Sequence, residues 1–252
     1  MNRATRVIYG AWAWLALLLA ALPVAVGLAV VPGTLARRRI ARRGAKAFFA
    51  LIGARVRTSG GSVPATDCVV VANHASYLDG IILTAALPPR FTFLIKHEMA
   101  SFPLAGFVLR RLGSEFVNRD DAVHRNRMAR RLLDAAQRGK ALAFFPEGTF
   151  DSEPGLKEFA PGAFRAAWRA RLPVVPVVIT GARDKLPAGR FFAAPGPLGV
   201  HVSEPLHAAD FDSPRALTQA ARRAMLSELG EADLTETNED SQCGSALPDP
   251  KI

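Results

Sequence analysis

Cys68-Val69-Val70-Val71-Ala72-Asn73-His74-Ala75-Ser76-Tyr77-Leu78-Asp79 is the stretch from which the fold of this chain can be read. Its first five residues are a short apolar, largely β-branched run, the pattern of a strand buried on both faces of a parallel sheet. A strand that ends in Asn-His, with an Asp five residues past the His, holds an imidazole at the mouth of the sheet. The Asp can hydrogen-bond one ring nitrogen and leave the other free to take a proton, the minimum apparatus of a general base. Side chains on one face of a helix recur at three and four residues. His74 is therefore expected before the helix, in the strand-to-helix turn, with Asp79 on the first turn or two. Backbone N–H groups at that helix start are candidate donors to an oxyanion, and Ser76 reads as a helix-start residue.

Working outward, apolar runs at 68–72, 91–95, 115–117, 141–145, 173–179 and 199–202 read as strands. Helical patterns fall at 78–87, 103–112, 121–138, 161–171 and 214–229. This alternation predicts an α/β fold: a mainly parallel sheet flanked by helices, with an N-terminal membrane-anchoring helical segment. In such a sheet the residues just beyond strand ends line the ligand crevice. His74, Arg119 and Glu147 fall there, after the runs ending near Ala72, Val117 and Phe145.

Half of the 252 residues are hydrophobic, and the apolar excess is concentrated between Val7 and Val31, a stretch without charge. At about 1.5 Å per residue this run is long enough to cross a hydrocarbon core of about 30 Å. Pro23 lies inside it, so one bent span and two short helices dipping into one leaflet both fit. A cleaved secretory signal is disfavoured by the length of the run and by the basic cluster Arg37, Arg38, Arg39, Arg42, Arg43 and Lys46 that follows. Such a cluster stays on the cytoplasmic side, which predicts an uncleaved anchor in the cell (inner) membrane with the body facing the cytoplasm. The formal charge of +10 calls for an acidic partner surface. Beside an apolar anchor that surface is an anionic membrane rather than nucleic acid, for which no motif is present. Cys68 in a core run and Cys243 in a polar tail predict no disulfide. The expected organisation is a membrane anchor over 1–35, a basic linker helix over 36–60, a catalytic domain over 61–230 and a disordered acidic tail over 231–252.

Four blocks in order, Asn73-His74-x4-Asp79, Gly113-Ser114-Glu115-Phe116-Val117-Asn118-Arg119, Phe145-Pro146-Glu147-Gly148-Thr149 and Val174-Val175-Pro176-Val177-Val178, resemble the glycerolipid acyltransferase superfamily. The resemblance is specifically to the 1-acylglycerol-3-phosphate (lysophosphatidate) acyltransferases. Lys96-His97-Glu98 with Phe102-Pro103 and Gly106 is similar to the family's stretch between the first two blocks. The resemblance implies acyl transfer from acyl-CoA or acyl-carrier protein to the free hydroxyl of a lysophospholipid, with 1-acyl-sn-glycerol 3-phosphate as the expected acceptor. It implies His74 as base and Asp79 as its orienting partner. Arg119, Glu147, Gly148, Thr149 and Lys96 are the implied acceptor-binding residues. Glu147 in that role holds a glycerol hydroxyl or orients Arg119. No cofactor and no metal is implied; the other histidines show no ligand spacing with Cys or carboxylates.

Two positions depart from the family pattern. Many lysophosphatidate acyltransferases carry an arginine directly after Glu-Gly-Thr, where this chain has Phe150, and an acidic residue is common where it has Asn118. Lys157 or Arg165 are candidate substitutes for the missing cation. The alternative acceptors are a lyso-aminolipid or another lysophospholipid. A non-catalytic membrane-surface protein is the reading from another class, and the presence of His74, Asp79, Arg119 and Glu147 together weighs against it.

Overall fold

The computed structural model describes residues 3–117 and 141–235. Asn118, Arg119, the helix expected over 121–138 and the chain beyond 235 lie outside the described residues. Seven strands form one sheet: β1 (Val56–Gly60), β2 (Val69–Ala72), β3 (Thr92–Lys96), β4 (Glu115–Val117), β5 (Leu142–Phe144), β6 (Val174–Thr180) and β7 (Leu198–Val202). Their spatial order is β1-β7-β6-β2-β5-β3-β4. All neighbours pair in parallel except β6 and β7.

The adjacent strands β2 and β5 are apolar at every position because both faces are covered. Successive side chains alternate between faces, so Val70 and Ala72 join one core and Val69 and Val71 the other. The first core is closed by α3 (Asp79–Ala86) and by the aromatic face of α2 (Thr34–Leu51), where Phe48 and Phe49 are buried. The second is closed by α5 (Gly162–Arg169) and α7 (Pro214–Leu229). The remaining helices are α1 (Arg3–Val30), α4 (Pro103–Arg111) and the single turn α6 (Ala182–Lys185).

Two expectations from sequence are corrected. The basic segment 36–60 is not one helix. α2 ends at Leu51 because Gly53 adopts a left-handed φ of 66°. The Gly53 N–H donates to the Ala50 carbonyl and the Ala54 N–H to the Phe49 carbonyl, the paired bonds of a glycine-terminated helix. Residues 56–60 then form the edge strand β1, whose side chains are mostly exposed and so lack an apolar alternation. Part of the basic cluster is bonded to the body. The Arg38 guanidinium donates to the carbonyls of Leu112 (2.9 Å) and Arg90 (2.8 Å) and to Thr92 Oγ1 (2.8 Å). Arg42 donates to the Ala85 and Ala86 carbonyls at the end of α3, where a cation also meets the negative pole of the helix dipole. Second, residues 231–235 are not a free tail; they pack back on the body through Glu231, Asp233 and Leu234.

α1 runs as one helix through Pro23 and is long and apolar enough by length and composition to cross a membrane. It packs antiparallel on α2, with Gly27 against Ile40 and Val24 against Gly44. Both of its ends are bonded to the body. Near the start, the Tyr9 hydroxyl donates to the Ile52 carbonyl (2.9 Å), Trp12 Nε1 to that of Leu51 (3.0 Å) and Trp14 Nε1 to that of Phe191 (3.0 Å). Near the finish, Arg111 from α4 donates to the Leu28 and Ala29 carbonyls.

Candidate active site

β2 and β5 are adjacent and parallel, yet the helices that follow them, α3 and α5, pack on opposite faces of the sheet. The two loops diverge there and leave a crevice beyond the strand ends, the place where doubly covered sheets bind ligands. Val71 pairs in register with Phe144. Three residues further along each strand direction stand His74 and Glu147, level with one another at the crevice.

His74 lies in the turn between β2 and α3, and Asp79 is the first residue of α3. Asp79 is fully buried and its Oδ2 accepts three bonds: from His74 Nδ1 (2.8 Å), the Ala75 N–H (2.7 Å) and the Ser76 N–H (2.8 Å). One carboxylate oxygen thus folds the turn and fixes the imidazole. With Nδ1 donating, Nε2 carries the free lone pair, an assignment made from the hydrogen-bond partners. Asn73 secures the turn to the neighbouring strand: its side chain donates to the Ile179 carbonyl (3.0 Å) and accepts from the Ile179 N–H (2.7 Å). Ser76 Oγ donates to the Leu186 carbonyl (2.7 Å) and accepts from the Leu78 N–H (3.1 Å), a structural use of both its capacities.

The N–H groups of residues 74, 75 and 76 are all engaged. Those of Ala75 and Ser76 serve Asp79, and that of His74 donates to Glu147 Oε1 at 2.7 Å. They therefore do not supply the oxyanion donors expected at this helix start. The other oxygen of Glu147, Oε2, accepts from the Lys157 N–H at 2.9 Å. Glu147 thus joins the His74 turn to the loop that follows β5. Burial pushes its carboxyl up to about 7; the Lys157 and His74 N–H bonds, then Arg183 and Arg222, oppose that rise. Gly148 has a left-handed φ of 78°, which a side chain would strain, and Thr149 is exposed.

Two aromatic rings flank the imidazole. Phe145 stacks on it at 4.3 Å and Phe150 lies tilted at 4.5 Å, with Tyr77 edge-on to Phe150 at 4.9 Å. The position where an arginine was expected therefore builds an apolar wall beside His74. Lys96 ends β3 at the same sheet edge, two strands from β2 and so roughly 10 Å away laterally. It is half-exposed and ion-paired with Glu98 at 2.9 Å. Of the candidate substitutes for the missing cation, Lys157 is ion-paired with Asp151 and Arg165 is exposed on α5.

The assembly of a buried carboxylate, an imidazole with one open nitrogen and flanking aromatic rings can accept a proton from a hydroxyl. An acyltransferase family model matches residues 55–180, half of the 252-residue chain. The chain belongs to that family.

This acyltransferase is 31% identical over 217 residues to a lyso-ornithine lipid O-acyltransferase of Pseudomonas aeruginosa, covering 80% of this chain and 83% of the relative. It is 32% identical over 124 residues to the chloroplastic 1-acyl-sn-glycerol-3-phosphate acyltransferase BAT2 of Brassica napus, 49% of this chain but 36% of that protein. The crystal structure of the 1-acyl-sn-glycerophosphate (LPA) acyltransferase PlsC from Thermotoga maritima shares the fold. Its TM-score is 0.75 at 18% identity, over 99% of this chain and 100% of the other. His74, Asp79, Lys96, Arg119, Glu147, Gly148 and Thr149 all fall inside the matched region. Arg183, Arg222, Glu231 and Asp233, which brace the loop after β5, fall outside it. Sequence reading missed these four because each resembles an ordinary surface charge until the fold brings them together.

Proposed function

We propose that the acyltransferase moves a fatty acyl group from acyl-CoA or acyl-carrier protein to the free hydroxyl of a lysophospholipid, with 1-acyl-sn-glycerol 3-phosphate as acceptor and phosphatidate as product. The observation that carries this reading is the His74 Nδ1 to Asp79 Oδ2 bond of 2.8 Å, which turns Nε2 into the crevice as a base. The acceptor hydroxyl loses its proton to Nε2 as its oxygen attacks the thioester carbonyl. The tetrahedral intermediate collapses with cleavage of the C–S bond, and the imidazolium returns the proton to the departing thiolate. Asp79 stabilises the imidazolium without itself changing protonation. Glu147, with both oxygens on main-chain N–H groups, is best read as the residue that seats His74 rather than one that grips the glycerol. Arg119 and Lys96 remain the proposed phosphate ligands.

A second acceptor, a lyso-aminolipid, is favoured by two observations. Phe150 packs on His74 where a phosphate-facing arginine was expected, and the lyso-ornithine lipid relative is matched over most of its length. Thiol release by the purified protein decides between them, with His74→Ala as blank. Lysophosphatidate, lyso-ornithine lipid and lysophosphatidylcholine are each supplied with acyl-CoA and with acyl-carrier protein. Preference for lysophosphatidate supports the first reading and preference for the aminolipid the second. Equal rates in wild type and blank overturn both.

The proposed location is the cytoplasmic face of the inner membrane. With both ends of α1 bonded to the body, the reading best supported is a helix lying in one leaflet rather than spanning. The exposed side chains of Leu18, Leu22, Val26 and Val30 face the lipid, joined by Phe102 and Leu104 beside α4. Arg39, Arg43 and Lys46 are exposed at helical spacing on α2 and suit anionic headgroups.

A further inference from the structure

The loop that follows β5 carries Phe150 and the Lys157 N–H that holds Glu147; inside it, the Gly148 N–H donates to the Phe145 carbonyl, the Ala160 N–H to the Pro146 carbonyl, and Lys157 pairs with Asp151. A second set of contacts comes from Arg183, Arg222 and residues 231–234. The Arg222 guanidinium, from α7, donates to the carbonyls of Leu156 (2.6 Å) and Lys157 and is paired with both carboxylate oxygens of Asp233. It also lies over the Phe159 ring at 5.1 Å. Residues 232–234 meet the loop at a single isolated parallel bridge between Leu156 and Asp233. The Leu156 N–H donates to the Ala232 carbonyl (2.9 Å) and the Leu234 N–H to the Leu156 carbonyl (3.2 Å). Glu231 accepts from the Gly155 N–H (2.7 Å) and pairs with Arg183 (3.1 Å), which itself donates to the Asp151 carbonyl (3.1 Å). Gly155 has φ of 140° and sits so close to Leu234 that a Cβ there would meet Leu234 Cγ at 2.5 Å.

We propose that Arg222 and residues 231–235 form a C-terminal strap that sets the loop 150–158 for acyl transfer, with Arg222 a positioning residue that acts through the Lys157 main chain on Glu147 and so on His74. The contacts are continuous: Asp233 to Arg222, Arg222 to the Lys157 carbonyl, the Lys157 N–H to Glu147, and Glu147 to the His74 N–H. Arg suits this task because its planar fork serves two carbonyls and a carboxylate at once, whereas lysine offers a single point charge. The inference rests on the reading of Glu147 as the residue that seats His74.

Arg222→Met keeps an apolar stem against Phe159 and removes the fork; Arg222→Lys keeps the charge. Glu231→Gln with Asp233→Asn loosens the strap without touching the buried face of α7. Each is compared with wild type in lipid vesicles for kcat, for KM of acceptor and donor separately, and for hydrogen exchange at the Lys157 and Leu156 amides. The expectation for Arg222→Met is a loss of about tenfold or more in kcat/KM for the acceptor, the scale of a modest misplacement at a reacting centre. Donor KM should stay near wild type, Arg222→Lys should fall between, and the two amides should exchange faster in Arg222→Met and in the double variant. Amide exchange at wild-type rates in both would overturn the strap, as would a lowered melting temperature with unchanged acceptor kinetics. If the wild-type protein transfers no acyl group at all, the functional reading fails, and amide exchange alone still decides whether the strap holds the loop.

Discussion

The turn 73–79 and the loop 145–158 stand level at the same crevice but are built in opposite ways. The turn orients its imidazole from within: Asp79, five residues past His74, supplies the acceptor for the ring and for two main-chain N–H groups, while Asn73 and Ser76 tie the turn to Ile179 and Leu186. The loop borrows its order from Arg183 on α6, Arg222 on α7 and the chain beyond Gly230. Glu147 joins the two with one oxygen on each. The proposed base is oriented by a neighbour in sequence, whereas the loop beside it is held from a distance and reaches the base only through Glu147.

The largest effects should come from the turn. His74→Ala should lower kcat/KM by roughly 10²–10⁴-fold with a thermal midpoint close to wild type, since the side chain contributes one bond to a turn that Asp79 already folds. Asp79→Ala should lose both activity and stability, because it strands two buried N–H groups at roughly 1–3 kcal/mol each. Calorimetry beside the thiol assay separates the two cases; a stable Asp79→Ala would break the comparison by showing that the turn does not need its carboxylate.

At the join, Glu147→Gln should cost on the order of 10²-fold in rate, as its amide can accept from one main-chain N–H but not from both. Its effect on stability depends on pH. Burial raises the folded-state pKa of Glu147 from 4.5 to about 7. Its contribution to stability is therefore fully present below about pH 4.5 and is lost as pH rises through 7, on the order of 3 kcal/mol by linkage. Activity should run the other way, rising through pH 7 as the carboxylate ionises and can serve both amides. Denaturant titrations at pH 5, 6, 7 and 8 should show a decline with pH in wild type that is shallower in Glu147→Gln.

On the loop, Phe150→Arg should raise the preference for a phosphate-bearing over a zwitterionic acceptor by about tenfold, the scale of one charge-assisted hydrogen bond. An unchanged preference in competition assays would mean that position 150 does not read the headgroup. The smallest effect on rate is expected for Ser76→Ala. Loss of its two bonds should cost roughly 1–3 kcal/mol of stability while kcat stays within about threefold, as its hydroxyl is turned toward Leu186 and away from the crevice.

The same contrast explains what the sequence made legible. β2, β5 and β6 are continuous apolar runs because both faces are covered, and the His74–Asp79 spacing implied its own geometry. The strand β1 was hidden because its ordering comes from pairing with β7 rather than from its exposed side chains. Glu147 was legible as a site residue but not in its use: a carboxylate bound to main-chain N–H groups leaves no partner side chain in the sequence to find. Residues 231–235 looked like the start of an unstructured acidic tail, since their order depends on Arg183 and Arg222 arriving from two other helices. Phe150 could be seen as a departure, and only the fold revealed it as a wall of the imidazole's own compartment.

α1 is about 42 Å long at 1.5 Å per residue and is fastened to the body at Tyr9, Trp12 and Trp14 and again at Leu28 and Ala29. On the proposed placement of α1 in one leaflet, the two fastenings fix an axis, and the exposed Phe102 and Leu104 supply a point away from the helix itself. Three such points leave the protein free to glide and spin in the plane of the lipid but not to roll. Encounter with the acceptor is then a search in two dimensions, governed by its mole fraction in the leaflet rather than by its amount per volume. Diluting the acceptor with inert lipid at constant bulk concentration should slow the reaction as surely as removing it.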